Sequence, residues 1–212
     1  MFIPFVDILR CVNPHAETWL VASIERADDR FIIDGTLGCP TCLAEYPIRD
    51  GVVYFAETSA KVARTTPDDS EAIRLAAALD LTEPRRTALL QGSWGAHAQL
   101  VRGFSPAQLI LLNPPAGTTS GDGISVIVSD KLPFAQQSID AIAVDASFGP
   151  LEEAGATTFP ALKRGGRLLA PVSIPMPRGF NELARDEEVW VASVDSRETV
   201  SAPILPTRRA PR

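Results

Sequence analysis

Short apolar runs separated by polar connections are the main pattern of this chain between residues 87 and 170. Runs of this kind, with few polar positions, are typical of parallel strands covered on both faces. They lie at residues 87–90, 108–112, 124–128, 141–144 and 167–170. Ahead of them, an acidic start at Asp68 and an apolar stripe predict a helix. The stripe consists of Ile73, Leu75, Ala76 and Leu79. This alternation predicts an α/β fold with a mostly parallel sheet.

Strand-like patterns also occur at both ends of the chain. Residues 189–194 and 200–205 predict an antiparallel hairpin at the C-terminal end of the sheet. Near the start, residues 19–23, 30–34 and 52–55 predict three short strands. A β unit of this size has too small a core to be stable without a staple or a partner.

A polar stretch without an apolar period divides the chain and predicts a linker. The predicted organisation is a small β domain at 1–57, a linker at 58–69, an α/β domain at 70–207 and a basic tail at 208–212. Pro160 interrupts the helix expected before the last parallel strand, and residues 172–180 are too few for another helix. The sheet is therefore expected to be thinly covered, which favours a protein partner or self-association.

Charge and composition exclude several classes of function. The 212 residues carry a formal net charge of −6, and residues 1–57 contain four basic and nine acidic side chains. An acidic surface repels phosphates, so the first domain is expected to contact protein and not nucleic acid. No apolar run is long enough to span a bilayer, and no membrane contact is expected. The first residues lack a basic signal-peptide region, which predicts a cytoplasmic location.

Three cysteines near the start of the chain point to a metal site. An odd number cannot pair completely within one chain, so a disulfide scaffold is not expected. Cys39 and Cys42 form a C-x-x-C motif, which directs two thiolates at one centre and suits tetrahedral zinc. Cys11 and His15 are the other soft ligands nearby. Either His15 completes a Cys3His zinc site, or the metal has been lost and packing holds the unit together.

The segment around these cysteines resembles a known family. L-R-C at residues 9–11 and L-G-C-P-T-C-L-A-E-Y-P-I-R-D-G at residues 37–51 resemble the zinc-ribbon activator subunit of tRNA, rRNA and release-factor methyltransferases. The resemblance implies a zinc ribbon in which Cys11, Cys39 and Cys42 bind the metal. The second cysteine of the first pair is missing, which puts the metal in doubt.

The later part of the chain resembles class I S-adenosylmethionine-dependent methyltransferases. Residues 130–142, D-K-L-P-F-A-Q-Q-S-I-D-A-I, are similar to a D-x-L-P-F-x-x-x-S-F-D-x-I stretch of that family. Residues 162–169, L-K-R-G-G-R-L-L, are similar to its L-K-P-G-G-R-L turn. The resemblance implies a Rossmann-like methyltransferase fold over residues 70–205, and a structural role for Asp140.

This second resemblance also implies a place for the cofactor S-adenosylmethionine. Gly92 and Gly95 belong to the loop whose backbone would approach the methionine part of the cofactor. Asn113 stands where the family has an acid that binds the ribose, and it brings no charge. Asp130 matches the acid that meets the adenine amino group.

The same region departs from the family at several positions. Trp94 places an indole inside the glycine loop, where it could fill the cofactor pocket. Leu90 or Gln91 occupies the place of the acid that precedes the loop. Asp145, after the fourth parallel strand, is a candidate catalytic residue, with a strand-end turn residue as the alternative. His97 is expected to be a surface or capping residue.

Three functions follow from these patterns. The favoured one is a methyltransferase-like pseudoenzyme that acts as a protein-interaction or scaffolding subunit. The alternative is an active class I methyltransferase with its zinc ribbon fused in cis. A third is an isolated metal-binding module on an inert domain. The departures from the family in the loop at residues 92–95 favour the first function, because Trp94 leaves little room there for S-adenosylmethionine.

Overall fold

The computed structural model describes residues 1–57, 65–148 and 160–194. These residues form eleven strands and two α-helices. In chain order they are β1 (Val21–Asp28), β2 (Phe31–Gly38), β3 (Glu45–Arg49), β4 (Val52–Tyr54), α1 (Asp69–Leu79), β5 (Thr87–Gln91), α2 (Ala98–Phe104), β6 (Gln108–Leu112), β7 (Ile124–Val128), β8 (Ile139–Ala143), β9 (Leu162–Pro171), β10 (Phe180–Arg185) and β11 (Val189–Val194).

All eleven strands belong to one sheet with the order β1-β2-β3-β4-β7-β6-β5-β8-β9-β11-β10. The five strands β7, β6, β5, β8 and β9 are parallel neighbours. Their order reverses between β5 and β8, as in a doubly wound Rossmann-like sheet. For β5 to β11, the predicted α/β fold with a mostly parallel sheet and a C-terminal antiparallel hairpin is therefore confirmed.

The strands that form the hairpin differ from the predicted ones. Strand β11 pairs with β10 on one side and with β9 on the other, antiparallel in both cases. Residues 200–205, which were expected to pair with β11, lie outside the described residues. The turn before β11 is made by Asp186, whose carboxylate accepts the backbone N–H groups of Glu188 and Val189, each at 2.8 Å. This Asx turn supplies the reversal.

The N-terminal strands continue the same sheet. Strands β1 to β4 are antiparallel to one another, and β4 pairs in parallel with β7 through Val52–Val126, Val53–Ile127 and Tyr54–Val128. The predicted β-rich N-terminal part is present, and its strands extend the α/β sheet at one edge. The division into two domains stays a prediction, and residues 58–64 of the predicted linker and the tail at 208–212 lie outside the described residues.

Helices α1 and α2 cover one face of the parallel strands. Leu75 and Leu79 of α1 and Val101 of α2 pack with Leu90 and Leu109 of the sheet. Helix α1 begins after Asp68, whose carboxylate accepts the Glu71 N–H at 2.9 Å. The predicted stripe of α1 is wrong at one position, because Ile73 is 59% exposed and the adjacent Ala72 is buried instead. Neither described helix is long and apolar enough to cross a membrane.

The start of the chain covers the opposite face. A 3-10 turn at Ile3–Ile8 carries Phe5 into a core that also contains Met1, Leu9 and Trp190. The backbone pairing of Leu9 with Phe134 fixes this segment, since Ala135 N–H donates to Ile8 O at 2.8 Å. The N-terminal segment thus covers part of the face that the sequence pattern left thinly covered.

Candidate functional site

The three cysteines and His15 come together at the end of the N-terminal strands. Cys39 and Cys42 lie in the turn between β2 and β3, and Cys11 and His15 lie in the segment before β1. The Cys11 N–H donates to Thr18 O at 3.1 Å, which folds the first segment back on itself, and the Thr18 and Thr41 hydroxyls, 3.2 Å apart, join it to the turn. The predicted ligand set is therefore assembled in space.

The ligand atoms of this Cys/His cluster have the spacing of a tetrahedral site. All four lie within 4.8 Å of one another. Cys11 Sγ is 3.6 Å from Cys42 Sγ, and His15 Nε2 is 3.1 Å from Cys11 Sγ and 3.5 Å from Cys39 Sγ. Around zinc with thiolates at 2.3 Å, neighbouring sulfur atoms would be about 3.8 Å apart. The four donors therefore fit a zinc ion after small shifts.

Groups around the cluster prepare its atoms for a metal. His15 Nδ1 is 2.7 Å from Ala16 O, an arrangement that places the proton on Nδ1 and leaves Nε2 as the ligand atom. The Ala44 N–H, followed by the Asn13 amide, lowers the pKa of the Cys42 thiol to about 6. The Tyr46 hydroxyl lies 3.1 Å from Cys11 Sγ, and burial raises the pKa of Tyr46, so it remains a hydrogen-bond donor. Lowered thiol pKa values favour metal binding.

The second candidate region is the point at which the order of the parallel strands reverses. In open α/β sheets, ligands bind at such a point, beyond the carboxyl ends of the strands. Gly92 directly follows β5, and Asp145 lies two residues after the end of β8. The predicted cofactor loop and the predicted catalytic candidate are therefore neighbours at the expected edge.

At this edge, the Asp145 carboxylate occupies the glycine loop. Gly92 has a φ of +64°, and a Cβ placed there would overlap the carboxylate of Asp145. Asp145 Oδ2 accepts the Ser93 N–H at 2.6 Å, and Oδ1 accepts the Ser147 N–H at 2.8 Å together with the Ser147 hydroxyl. Burial alone would raise the pKa of Asp145, but the hydrogen bonds from Ser147 and Ser93 outweigh it and lower the pKa. These contacts are those of a structural turn residue.

Two more side chains tie the loop to the end of β8. Gln91, which with Leu90 is one of the two residues expected at the place of the acid, accepts the Asp145 N–H at 3.0 Å and donates to the Ser147 hydroxyl at 3.0 Å. The Trp94 indole N–H donates to Val144 O at 3.1 Å. Trp94 also lines a cavity of about 530 Å³ whose other walls come from α1 and from strands β9 to β11. The hydrogen bond thus fixes the indole against the end of β8.

The other residues predicted to bind the cofactor either contact neighbouring parts of the protein or are exposed to solvent. The Asn113 amide donates to Ser129 O at 2.7 Å and accepts the Ser129 N–H at 3.0 Å, so it joins the ends of β6 and β7. Gly95 packs against Pro114, which a Cβ at Gly95 would approach to 2.7 Å. Asp130 is exposed after β7. The assignment of these residues to a cofactor stays a prediction.

Two other residues can be placed. Asp140 accepts the Thr87 N–H at 2.9 Å and pairs with Lys163 at 2.9 Å, which is the structural role expected of it. His97 stands at the N-cap position of α2, but its side chain makes no capping hydrogen bond there, and at 4% exposed it is not on the surface. Its Nδ1 accepts the Asp68 N–H at 3.4 Å.

The sequence did not single out Ser93, Ser147, Asn13 or the hydroxyl of Tyr46, all of which contact predicted site residues. Ser147, two residues after Asp145, was detectable as an Asx turn. Tyr46 is a conspicuous residue of the Y-P-I motif, but its contact with Cys11 depends on strand pairing.

Comparisons with known proteins return solved structures only. No protein-family model matches the chain, and no curated protein matches it. A putative S-adenosyl-L-methionine-dependent methyltransferase from Methanococcus maripaludis is 13% identical, with a TM-score of 0.47 over 62% of this chain and 87% of that one. An S-adenosylmethionine-dependent O-methyltransferase from Thermotoga maritima is 13% identical, with a TM-score of 0.41 over 63% and 68%.

A third similar structure is geranyl diphosphate C-methyltransferase from Streptomyces coelicolor, solved with S-adenosyl-L-homocysteine. It is 17% identical, with a TM-score of 0.41 over 48% of this chain, which spans 44% of that enzyme. Similarity at this level assigns neither a family nor a substrate. The strand order and pairing of this chain show by themselves a doubly wound, Rossmann-like α/β fold.

Proposed function

We propose that this protein is a methyltransferase-like pseudoenzyme that binds zinc and acts as a protein-interaction or scaffolding subunit. One observation carries the proposal. The Asp145 carboxylate occupies the space beside Gly92 and accepts the Ser93 N–H at 2.6 Å, at the strand-order reversal where such sheets bind ligands.

The loss of cofactor binding follows from these contacts. A loop that holds a cofactor must offer free backbone N–H groups and open space. Here the Ser93 N–H is already bonded, and the Trp94 indole is fixed to Val144 O. To bind S-adenosylmethionine, the loop would have to break several hydrogen bonds, each contributing about 1 kcal/mol, before it gained any contact.

The test is a thermal titration of the intact protein with millimolar S-adenosylmethionine, with S-adenosylhomocysteine in parallel. We expect no change in melting temperature, because only ligands that bind the folded state raise it. A clear, saturable rise with either compound would overturn the pseudoenzyme proposal and favour the active methyltransferase with its ribbon in cis.

The proposed cofactor is zinc, held by Cys11, His15, Cys39 and Cys42. The fit of the donor set and the free Nε2 of His15 support it. The experiment compares the metal content of the purified protein with that of a Cys39→Ser variant. About one zinc per chain is expected in the first and much less in the second. Near-zero content in both would remove zinc from the proposal.

The interaction role is supported by exposed apolar side chains around the Cys/His cluster. Trp19 is 68% exposed, Val21 61% and Leu43 80%. Val21 pairs with Gly38, and the Leu43 N–H donates to Cys39 O, so both lie on the segments that enclose the cluster. Exposed apolar residues concentrated in one region favour a protein contact.

We expect this surface to support self-association. Sedimentation velocity over a range of protein concentrations would measure it, with Trp19→Ser weakening the association. Phe104→Ser is the matched control, because Phe104 is also exposed (51%) but lies on α2. A protein that stays monomeric at all concentrations, or an equal effect of both variants, would overturn self-association through this surface.

A further inference from the structure

A cleft with four basic side chains lies at the amino ends of the parallel strands, at the opposite end of the sheet from Gly92 and Asp145. Its volume is about 310 Å³. Arg85 and Arg86 come from the turn before β5, and Lys163 and Arg164 come from the start of β9. The concentration of positive charge is notable because the whole chain has a net charge of −6.

The start of β9 leaves the sheet to form one wall of this cleft. Leu162 pairs with Ile139, whereas the next paired residue of β9, Arg167, lies opposite Ala141. The four residues between them therefore form a bulge on β9. At its tip, Gly165 has a φ of +71°, and a Cβ there would have no neighbour within 4 Å. An open glycine at such a tip lets a ligand approach the backbone closely.

Two of the four basic side chains are neutralised within the protein. Lys163 Nζ lies 2.9 Å from both carboxylate oxygens of Asp140, and Arg86 pairs with Asp80 at 2.8 Å. Arg85 and Arg164 are exposed, and neither has a hydrogen bond or ion pair with any residue that the structure describes.

The acidic groups of the cleft do not cancel this charge. Asp140 is already bonded to Lys163 and to the Thr87 N–H. Glu83 also lines the cleft, but its single negative charge is set against the two positive charges of Arg85 and Arg164. The side chains without a partner among the described residues therefore carry a net positive charge.

We propose that this cleft binds a small ligand through a phosphate group, with Arg85 and Arg164 contacting it from two sides. Guanidinium groups match phosphate oxygens in charge and in geometry. The volume is at the low end of the range of small-molecule sites, which suits one phosphate-bearing molecule. A long polyanion is disfavoured, because the acidic protein as a whole repels it. The proposal is independent of the function assigned to the glycine loop.

The test is calorimetric titration of the intact protein with inorganic phosphate and, separately, with pyrophosphate, at constant ionic strength. We expect saturable binding of one ion per chain. Arg85→Gln and Arg164→Gln should each weaken it about ten-fold or more, the loss expected for one charge-assisted hydrogen bond. Arg178→Gln is the matched control, because Arg178 is exposed outside the cleft and the variant has the same change in charge.

The control separates a local site from a general effect of charge. Binding that is unchanged in both cleft variants, or weakened equally in Arg178→Gln, would overturn the proposal. So would the absence of phosphate and pyrophosphate binding together with binding of a single-stranded oligonucleotide, since that would make the cleft part of a nucleic acid surface. All three positions are exposed, so these substitutions leave the core intact.

Discussion

The Cys/His cluster and the glycine loop are both collections of polar atoms at the ends of strands, but their hydrogen bonds are arranged differently. In the cluster, bonds such as the one between His15 Nδ1 and Ala16 O fix the ligands from outside, and the sulfur atoms and Nε2 face a shared point. In the loop, the polar atoms of Asp145, Ser93 and Ser147 are bonded to one another. The first arrangement leaves its donor atoms facing a shared point, and the second bonds its polar atoms to one another.

The largest effect should come from removing the metal. Chelation should lower the free energy of unfolding by at least about 4 kcal/mol, the stabilisation by a ligand present at about a thousand times its Kd. Thermal unfolding with and without a chelator measures this effect. Because Cys11 follows the segment that covers the sheet, the loss should appear as one transition of the whole protein. If a chelator changes the thermal unfolding of neither the native protein nor the Cys39→Ser variant, the Cys/His cluster does not hold a stabilising metal.

The next effect concerns the close contact at Gly92. Gly92→Ala should destabilise the protein by about 3 kcal/mol, since it combines an unfavourable positive φ with overlap against Asp145. Gly165→Ala is the matched control: its φ is similar, at +71°, and its surroundings are open. It should cost only about 1 kcal/mol. Chemical denaturation measures both. Equal losses would mean that Asp145 moves aside easily and that the loop is open to ligands.

A smaller and pH-dependent effect is expected at Asp145. Its hydrogen bonds lower the pKa of the folded state below the unfolded value of about 3.9, so the unfolded protein binds more protons. The resulting stabilisation is present above that unfolded value and is lost as the pH falls through the folded pKa. Asp145→Asn should therefore cost about 1.5 kcal/mol at pH 7, and the cost should shrink as the pH falls below the unfolded value and through the folded pKa. Urea denaturation of both proteins from pH 7 to acidic pH measures the difference in their free energies of unfolding. If that difference does not depend on pH, the charge of Asp145 is not its cause.

The smallest effect should come from Trp94→Phe, which keeps an aromatic ring but removes the indole N–H that binds Val144 O. The expected loss is about 1 kcal/mol. A loss of several kcal/mol would indicate that the packing of the larger indole, and not its hydrogen bond alone, holds the loop. The variant should still give no thermal shift with S-adenosylmethionine, because the Asp145 contact remains. If S-adenosylmethionine raised the melting temperature of this variant but not that of the native protein, Trp94 would be the residue that prevents cofactor binding.

Much of this architecture could be predicted from local pattern. The parallel strands and α1 appear in the sequence because burial on two faces removes polar residues from a strand and capping places Asp68 before a helix. The cluster could be predicted because C-x-x-C fixes two ligands locally. Spacing alone could not assign His15, because its distance from Cys11 in sequence departs from the usual knuckle, and only the chain path between Cys11 and Thr18 brings it into place.

The features that escaped prediction depend on contacts distant in sequence. The Asp145 carboxylate meets Gly92 only because β5 and β8 are adjacent, and an Asp after a strand has many possible partners. Residues 1–9 have no regular period, so nothing indicated that they cover the sheet. The partner of β11 was misassigned because residues 200–205 are more apolar than β10, whose positions are mostly exposed. The turn at Asp186 was the better signal.

The parallel pairing of β4 with β7 has a consequence for how the protein is made. Val53 of β4 pairs with Ile127 of β7, so the two partners lie far apart in the sequence. Strand β4 therefore leaves the ribosome long before β7 does. During that interval, β4 presents unpaired backbone groups, which can template association with other chains. Early metal binding by Cys11, His15, Cys39 and Cys42 would hold β1 to β4 in register until β7 has been synthesised. Newly made protein in metal-starved cells should therefore aggregate more than mature protein stripped of its metal.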